Sequence, residues 1–555
     1  MYREYEIWKN YKNLEPNLKA ELDSLTDEEI KEAFHSDLEF GTGGIRGIMG
    51  VGTSRMNIYT LRIANYGYGN FLLNKYKNPV VVIAYDNRKN SYEFAIDSAR
   101  TLASFGIKVY LFREITPTPV LSFAIRHLKA DGGIVITASH NPPIYNGYKV
   151  YHNDGGQLVP ELADMVISES KKVEDIFSLD INELDSLLKE KKIEFLDDSV
   201  NVAYIEEVKN ITLNNNFDKS NCKIVFTPLH GTSANLGVRI LDSLGYNVIP
   251  VEEQMVKDPN FSTVKSPNPE NHEAFTLAIK YAKANNADLC IATDPDADRI
   301  GIAYRDKDEY KLITGNQIGA IILYYLVNNR KNLSNHVMLN TIVTSNLGAE
   351  IVKSKGIEVI STLTGFRYIA EQIKLLEGTN KKFFFGYEES FGYLVSDFVR
   401  DKDSLQSMVI LAELTNYYLH QNKTLTAVLE EIYSIYGYFV EETMNFTYEG
   451  LSGAKKINDI MDFFRVNELR EIINLKVEKI EDYSKDIELN NGLVYPKANV
   501  LKYYLEDGTW FALRPSGTEP KLKIYISIKS KNKKESEIKL QKLKNELVSL
   551  VEEVK

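Results

Sequence analysis

From Val80 onward the chain alternates short apolar runs with amphipathic stretches. Val80 to Tyr85 is a continuous apolar run and predicts a strand buried on both faces. Asp86-Asn-Arg88 follows, and the spacing then predicts a helix over Ser91 to Phe105 and a second strand over Lys108 to Phe112. Thr116-Pro-Thr-Pro119 breaks the chain before a further helix. A third strand, Ile134 to Ile136, runs into the small polar residues Thr137, Ala138, Ser139, His140 and Asn141, and Pro142-Pro143 bars a helix there. The same rhythm of strand, polar turn and helix recurs at Lys223-Ile-Val-Phe-Thr and at Met338-Leu-Asn-Thr, with the helix after the former starting at about Ala234. Such wide spacing predicts duplicated α/β domains with mixed sheets, rather than a solenoid.

The two ends differ from this middle. Thr26-Asp-Glu-Glu29 fits a capping box that opens a helix through Phe34, in an N-terminal region of external helices. Phe40-Gly-Thr-Gly-Gly-Ile-Arg-Gly47 reads as a glycine-dense loop with Arg46 as its one charged side chain. After about residue 430, Glu441 to Tyr448 alternates like an antiparallel strand. A helix follows over Ala454 to Phe464, then strands at Trp510 and Lys521, and a charged amphipathic helix from Lys533. The expected division is 1–200, 201–315 and 316–430 for three α/β domains and 431–555 for a smaller α+β domain.

Composition narrows the class. A length of 555 residues exceeds one core, while 44% hydrophobic and 26% charged residues are ordinary for a globular chain. A net charge of −11 argues against a nucleic-acid partner but leaves room for a local basic pocket. Cys222 and Cys290 lie in or beside apolar runs with no CxxC pair, as buried reduced thiols do. The N-terminus lacks the apolar core of a signal peptide, and Ala320 to Val327 is too short to span a membrane. A cytoplasmic protein with no membrane partner is expected.

Four stretches carry candidate chemistry. Ser139 sits where a rigid strand ends, with His140 beside it, at the place where open α/β sheets bind ligands. Asp294, Asp296 and Asp298 alternate directly after an apolar strand, and such crowding calls for a hard cation such as Mg²⁺. An EF-hand is excluded, because Arg299 and Arg305 occupy its glycine and closing-glutamate positions. A phosphatase in which Asp294 is the nucleophile is the competing reading. Phe385-Gly-Tyr-Glu-Glu-Ser-Phe-Gly392 offers acceptors suited to sugar hydroxyls, and Arg400-Asp-Lys-Asp403 follows it. In a closed pocket that lysine could move a proton. Leu513-Arg-Pro-Ser-Gly-Thr-Glu-Pro520 combines a guanidinium fork, two hydroxyls and a glycine, a composition that fits phosphate.

Taken in order, the Thr-Ala-Ser-His-Asn-Pro, Asp-Pro-Asp-Ala-Asp-Arg, Gly-Tyr-Glu-Glu-Ser and Arg-Pro-Ser-Gly-Thr-Glu-Pro segments resemble the α-D-phosphohexomutases over nearly the whole length. The resemblance implies three related α/β domains and an α+β domain around a central cleft. It implies that Ser139 is a phosphoserine that also completes the shell of a Mg²⁺ held by Asp294, Asp296 and Asp298. It places Arg46, His140, Lys149 and Lys402 as the catalytic set near the reacting hydroxyl, with Arg299 beside the phosphoryl group. Thr364, Gly365, Phe366, Arg367, Glu388 and Ser390 fall at sugar-contacting positions. Arg514, Ser516, Gly517 and Thr518 match the site for the non-transferring phosphate. Tyr387 departs from many members, which read Gly-Glu directly; with Lys265-Ser-Pro-Asn-Pro-Glu270 it resembles the branch of bacterial phosphoglucomutases and phosphopentomutase-like enzymes. The implied reaction interconverts glucose 1-phosphate and glucose 6-phosphate through glucose 1,6-bisphosphate, as intermediate and activator. Phosphomannomutase or phosphopentomutase activity, the aspartate phosphatase and a non-catalytic sugar-phosphate binder are the alternatives. A monomer or homodimer is expected.

Overall fold

The computed structural model describes residues 2–38, 40–41, 44–214, 216–448, 450–467, 469–488, 492, 494–516 and 521–554. The chain divides into two compact units, residues 1–313 with 370–378 and 391–420, and residues 314–369 with 379–390 and 421–555.

The first unit holds two mixed sheets. Strands β1 (Ile45–Ile48), β2 (Val80–Tyr85), β3 (Lys108–Phe112), β4 (Gly132–Ile136), β5 (Tyr145–His152) and β6 (Ile193–Leu196) form one in the order β1-β5-β4-β2-β3-β6. β4, β2, β3 and β6 are mutually parallel; β5 runs antiparallel to both β4 and β1. The second sheet comprises β7 (Lys223–Thr227), β8 (Asn247–Pro250), β9 (Leu289–Thr293), β10 (Ile300–Asp306) and β11 (Glu309–Leu312), in the order β11-β10-β9-β7-β8. Again the inner strands are parallel, and the strand after β9 turns back antiparallel. The inner strands are continuous apolar runs because helices such as Ser91–Ser104 and Thr118–His127 cover both faces.

At the N-terminus, Thr26 caps a short helix, Asp27–Ala33: its hydroxyl accepts the Glu29 N–H, and the Glu29 carboxylate accepts the Thr26 N–H at 2.8 Å. This helix packs with Trp8, Phe34 and Tyr59 in a satellite core. Arg46 does not lie in a loop, as the glycine-dense sequence suggested. It is on β1, opposite Gly147 of β5, because the edge strand is only four residues long and leaves no readable period. Cys222 and Cys290 are buried free thiols, each pushed up to about 12 by burial.

The second unit contains parallel strands β12 (His336–Thr341), β13 (Glu358–Thr362) and β14 (Lys382–Glu388), with β12 central. β15 (Gly392–Leu394) belongs to the first unit and precedes a long helix, Ser404–Leu419. The C-terminal sheet is antiparallel throughout: β16 (Tyr438–Thr447), β17 (Glu471–Ile472), β18 (Leu475–Asp482), β19 (Leu501–Leu505), β20 (Trp510–Pro515) and β21 (Lys521–Ser530), in the order β16-β21-β20-β19-β18-β17. Phe511 and Leu513 face the helices Gly450–Val466 and Lys533–Glu553. Trp510 and Ala512, on the opposite face, pack on Ile342, Val343 and Leu363. This period-two division puts an apolar layer on each side of one sheet. Among the described residues, no helix is long and apolar enough to cross a membrane.

Candidate active site

Ser139 lies three residues past the end of β4, in a turn that Pro142-Pro143 keeps from running on into helix. Its φ of 50° is left-handed, a conformation that costs a non-glycine residue on the order of 1 kcal/mol or more. The turn is held partly by the Ser139 N–H, which donates to Thr137 Oγ1 at 2.9 Å. The side chain is enclosed, and its hydroxyl donates to Asp294 Oδ2 at 2.5 Å. His140 Nδ1 is 3.2 Å from the same oxygen. Desolvation, aided by the charges of Arg299 and Arg46, holds the His140 imidazole well below its ordinary value, so it is neutral at pH 7.

The aspartate loop leaves β9 as the serine loop leaves β4. Asp294 Oδ1 accepts the N–H groups of Asp298 and Arg299 at 3.0 and 2.9 Å, which curls the loop around that carboxylate. Burial, reinforced by Asp296 and Asp298, raises the Asp294 carboxyl well above the usual carboxylate range. Burial also acts to raise Asp296, but the Lys149 charge and hydrogen bond outweigh it, and its pKa falls. Lys149, on β5, donates to Asp296 Oδ2 at 2.8 Å and lies 3.7 Å from Asp298 Oδ2. Although burial works against its charge, the two aspartates raise its pKa, so Lys149 stays protonated. Lys402 Nζ is 3.0 Å from Asp298 Oδ2. The first unit thus brings Ser139, His140, Lys149, Lys402 and the three aspartates into one buried cluster. Arg46 reaches the edge of it, donating to Asn141 Oδ1 at 3.0 Å. Arg299 is turned by an ion pair with Glu270.

The donor set suits a hard divalent cation. Ligand atoms of Asp294, Asp296 and Asp298 lie within 4.8 Å of one another, and Asp296 Oδ1 and Asp298 Oδ1 are buried with no hydrogen-bond partner. Buried carboxylate oxygens without a hydrogen-bond partner call for a cation.

The second unit holds the remaining candidates. Glu388, at the end of β14, accepts the Gly365 N–H at 2.9 Å, which joins the Thr364–Arg367 turn to the glutamate loop. Phe366 is buried and opens the helix Phe366–Leu376, so its side chain serves the core. Arg367 lies over the Tyr368 ring. Glu389 is pushed up to about 7 by burial and the neighbouring Glu388 charge. Ser390 is half-buried beside it. Arg514 is the penultimate residue of β20, with Ser516 just past the strand, and its charge acts on Glu389 and Tyr525. Gly517 and Thr518 lie outside the described residues. Tyr387, the departure noted in the sequence, is a core residue: a Cβ at Gly319 or Gly348 would come within 2.6 or 2.3 Å of its ring or hydroxyl.

Sequence reasoning missed three participants. Thr118, from the Thr-Pro-Thr-Pro segment, donates its hydroxyl to Asp296 Oδ2 at 3.0 Å and its N–H to the Asp296 carbonyl at 2.9 Å. Glu270 orients Arg299. Arg88 sits inside the serine loop. The signal for Arg88 was available: it follows a buried strand, as Ser139 does.

Family models cover the chain from residue 37 to residue 539 in four segments. Residues 37–176, 202–307 and 314–436 match Phosphoglucomutase/phosphomannomutase alpha/beta/alpha domains I, II and III, and residues 464–539 match the C-terminal domain. The chain belongs to the phosphoglucomutase/phosphomannomutase family. A phosphoglucomutase of Staphylococcus aureus (strain MRSA252) is 40% identical over 532 residues, covering 94% of this chain and 95% of that one. That of Staphylococcus haemolyticus (strain JCSC1435) is 40% identical over 534 residues, with 95% and 96% covered. Among solved structures, a putative phosphomannomutase from Thermus thermophilus has the same fold, with a TM-score of 0.71 at 24% identity over 93% of this chain and 99% of that one. The open form of pp63/parafusin from Paramecium matches with a TM-score of 0.70 at 18% identity, with 94% and 95% covered. The protein is accordingly a mutase, an intramolecular phosphotransferase of the isomerase class.

Proposed function

We propose that the enzyme interconverts glucose 1-phosphate and glucose 6-phosphate, with Ser139 as phosphoryl carrier and glucose 1,6-bisphosphate as intermediate and activator. The observation that carries this reading is the meeting of Ser139 with the unpartnered aspartate oxygens and two lysines in one buried site. An aspartate phosphatase fits less well, because both Asp294 oxygens are engaged, one by two backbone N–H groups and one by Ser139.

Phospho-Ser139 loses its Oγ–P bond as O6 of glucose 1-phosphate forms one. The hydroxyl proton passes to Lys402 acting as its neutral amine, which becomes the ammonium paired with Asp298, while Lys149, kept charged by its aspartates, stabilises the phosphoryl oxygens. The freed Ser139 Oγ faces His140 Nδ1. Asp294, Asp296 and Asp298, with a phosphoserine oxygen, would hold Mg²⁺, which supplies charge neutralisation at the transferring group. Arg46 and Arg299 border the same phosphoryl group. Glu388, Ser390 and the Thr364–Arg367 turn bind the sugar, and the Arg514 segment with Ser516, Gly517 and Thr518 holds the other phosphate. The bisphosphate then presents its second phosphoryl group to Ser139. Four modules, 1–200, 201–315, 316–430 and 431–555, divide these tasks.

The test is Ser139→Ala, expected to lower kcat by at least about 1000-fold, since positioning at the carrier oxygen is the main source of rate. Phosphoryl label from glucose 1,6-bisphosphate should map to Ser139 and survive hydroxylamine. Hydroxylamine-labile label on Asp294, or an active Ser139→Ala protein, would sink the reading. Comparing kcat/KM for the 1-phosphates of glucose, mannose, ribose and deoxyribose tests the sugar; a higher value for any but glucose overturns that part.

A further inference from the structure

We propose that Arg88 is the positioning residue that holds the Ser139 loop in its reactive conformation. Arg88 follows β2, two residues after the fully buried Asp86, and its side chain is wholly enclosed. Nη1 donates to the carbonyls of Pro142 and Tyr145 at 2.9 and 3.0 Å. Nη2 donates to the carbonyls of Ser139 and Asn141 at 2.6 and 2.5 Å. The four Nη hydrogens are therefore matched by four carbonyls, three in the loop that carries the phosphoryl-accepting serine and one, that of Tyr145, where β5 begins. The guanidinium is itself aimed from both ends. Asp86 Oδ2 lies 3.4 Å from Nε, and Asp86 Oδ1 accepts the Arg88 N–H at 2.9 Å and the Ser91 hydroxyl at 2.6 Å. The Phe261 ring lies 5.0 Å away, over the guanidinium carbon.

The loop needs such a support for a stated reason. Pro142 and Pro143 carry no N–H, so the segment has few donors of its own for these carbonyls; Pro142 O takes the Tyr145 N–H at 3.0 Å as well. Buried carbonyls without donors are expensive, and a planar fork answers four at once, where an ammonium offers three hydrogens from one point. With the fork in place, Ser139 Oγ faces Asp294; without it, the turn relaxes toward ordinary φ and Oγ leaves the line of transfer. This inference rests on Ser139 being the carrier.

Arg88→Lys is expected to lower kcat about 100-fold with KM within threefold, because binding groups elsewhere are untouched. Arg88→Ala should recover at least tenfold in kcat with millimolar guanidinium ion and not with ammonium ion. Phe261→Leu, a milder change that keeps the arginine, should cost threefold or more in kcat. Rates are counted per folded molecule. Arg88→Lys with kcat within threefold of the parent overturns the proposal. So does an Arg88→Ala protein that loses solubility yet keeps its rate per folded molecule, or gains equally from both ions. If neither arginine variant folds, an unchanged kcat in Phe261→Leu overturns it. Label mapping in the parent protein separates the two readings: label absent from Ser139 defeats the carrier assignment and this inference together, whereas labelled Ser139 with a fully active Arg88→Lys defeats this inference alone.

Discussion

Gly392 is the residue whose replacement reads Lys402 most directly. It opens β15, and a Cβ built on it would lie 2.2 Å from Lys402 Cδ, 2.9 Å from Cγ and 3.4 Å from Cε. Its backbone is not left-handed, so an alanine there brings a steric effect without a conformational one. Ordinary contact begins near 3.4 Å, and the lysine stem must retreat by about 1 Å. The backbone cannot take up the difference. Tyr393 and Leu394 are fully buried. The Lys402 N–H donates to Asp401 Oδ1 at 2.8 Å, and Asp401 Oδ2 accepts from Tyr151 and Gln157, each at 2.8 Å. On the other side Asp403 caps the helix Ser404–Leu419. Only the side chain is left to move, and its Nζ then leaves the 3.0 Å contact with Asp298.

A displacement of about 1 Å at a reacting group costs up to about 100-fold, so Gly392→Ala should lower kcat by about 30- to 100-fold with KM within threefold. Phosphorylation of Ser139, read by intact mass, should be unchanged. Lys402→Met supplies the reference, and the double variant should fall no lower than Lys402→Met alone, because the two changes act through one group. A Gly392→Ala enzyme within twofold of the parent, or a double variant whose losses multiply, would refute both the steric argument and the assignment of Lys402.

Thr118→Val removes the hydroxyl on Asp296 without changing side-chain volume much, and loss of such an outer support weakens a metal site by about 10- to 100-fold. The free Mg²⁺ needed for half-maximal rate should rise accordingly, and an unchanged requirement contradicts the role. Asp403 is fully buried and pushed up to about 6 from the ordinary 3.8, so the unfolded chain loses this proton first. The contribution of Asp403 to stability should therefore be fully present below pH 4, fall by about 3 kcal/mol in all as pH rises through 6, and lose about half of that between pH 5 and pH 8. In Asp403→Asn the helix Ser404–Leu419, followed by hydrogen exchange, should not show this loss; a pH dependence like that of the parent counts against it.

The sequence was most readable where burial is complete. β2 begins and ends where its apolar run does, since a strand covered on both faces leaves no polar position to blur its ends. The Thr26 box and the helix from Ala234 were legible because their signals are local. Strand order was not, since hydrophobicity says that a strand is buried but not beside what. Arg46 shows the cost: four residues among glycines carry no period, yet they pair with β5 and place the guanidinium at the site. Arg400-Asp-Lys-Asp403 has the composition of a solvated ion-pair patch, but Asp401 and Asp403 are buried by Tyr151, Gln157 and Tyr204, partners far away in sequence.

The site itself was legible as four separate motifs and not as a geometry, and the topology gives the reason. β4 with β5 and β9 with β10 are the same element used twice: a central parallel strand, a loop at its C-terminal end, and an antiparallel return. Each loop contains one left-handed non-glycine residue, Ser139 in the first and Ala297 in the second. In the first loop that position is the candidate nucleophile; in the second it lies between Asp296 and Asp298. The backbone path is therefore duplicated, while the side chains have diverged to complementary tasks. The repeat read in the sequence at Val80 and Lys223, on β2 and β7, thus extends to the hairpins that follow them, where the chemistry of the loops hides it. It also explains why Lys149 was hard to place from sequence. Its reach to Asp296 depends on two copies of one hairpin meeting within the first unit, and neither copy records the other.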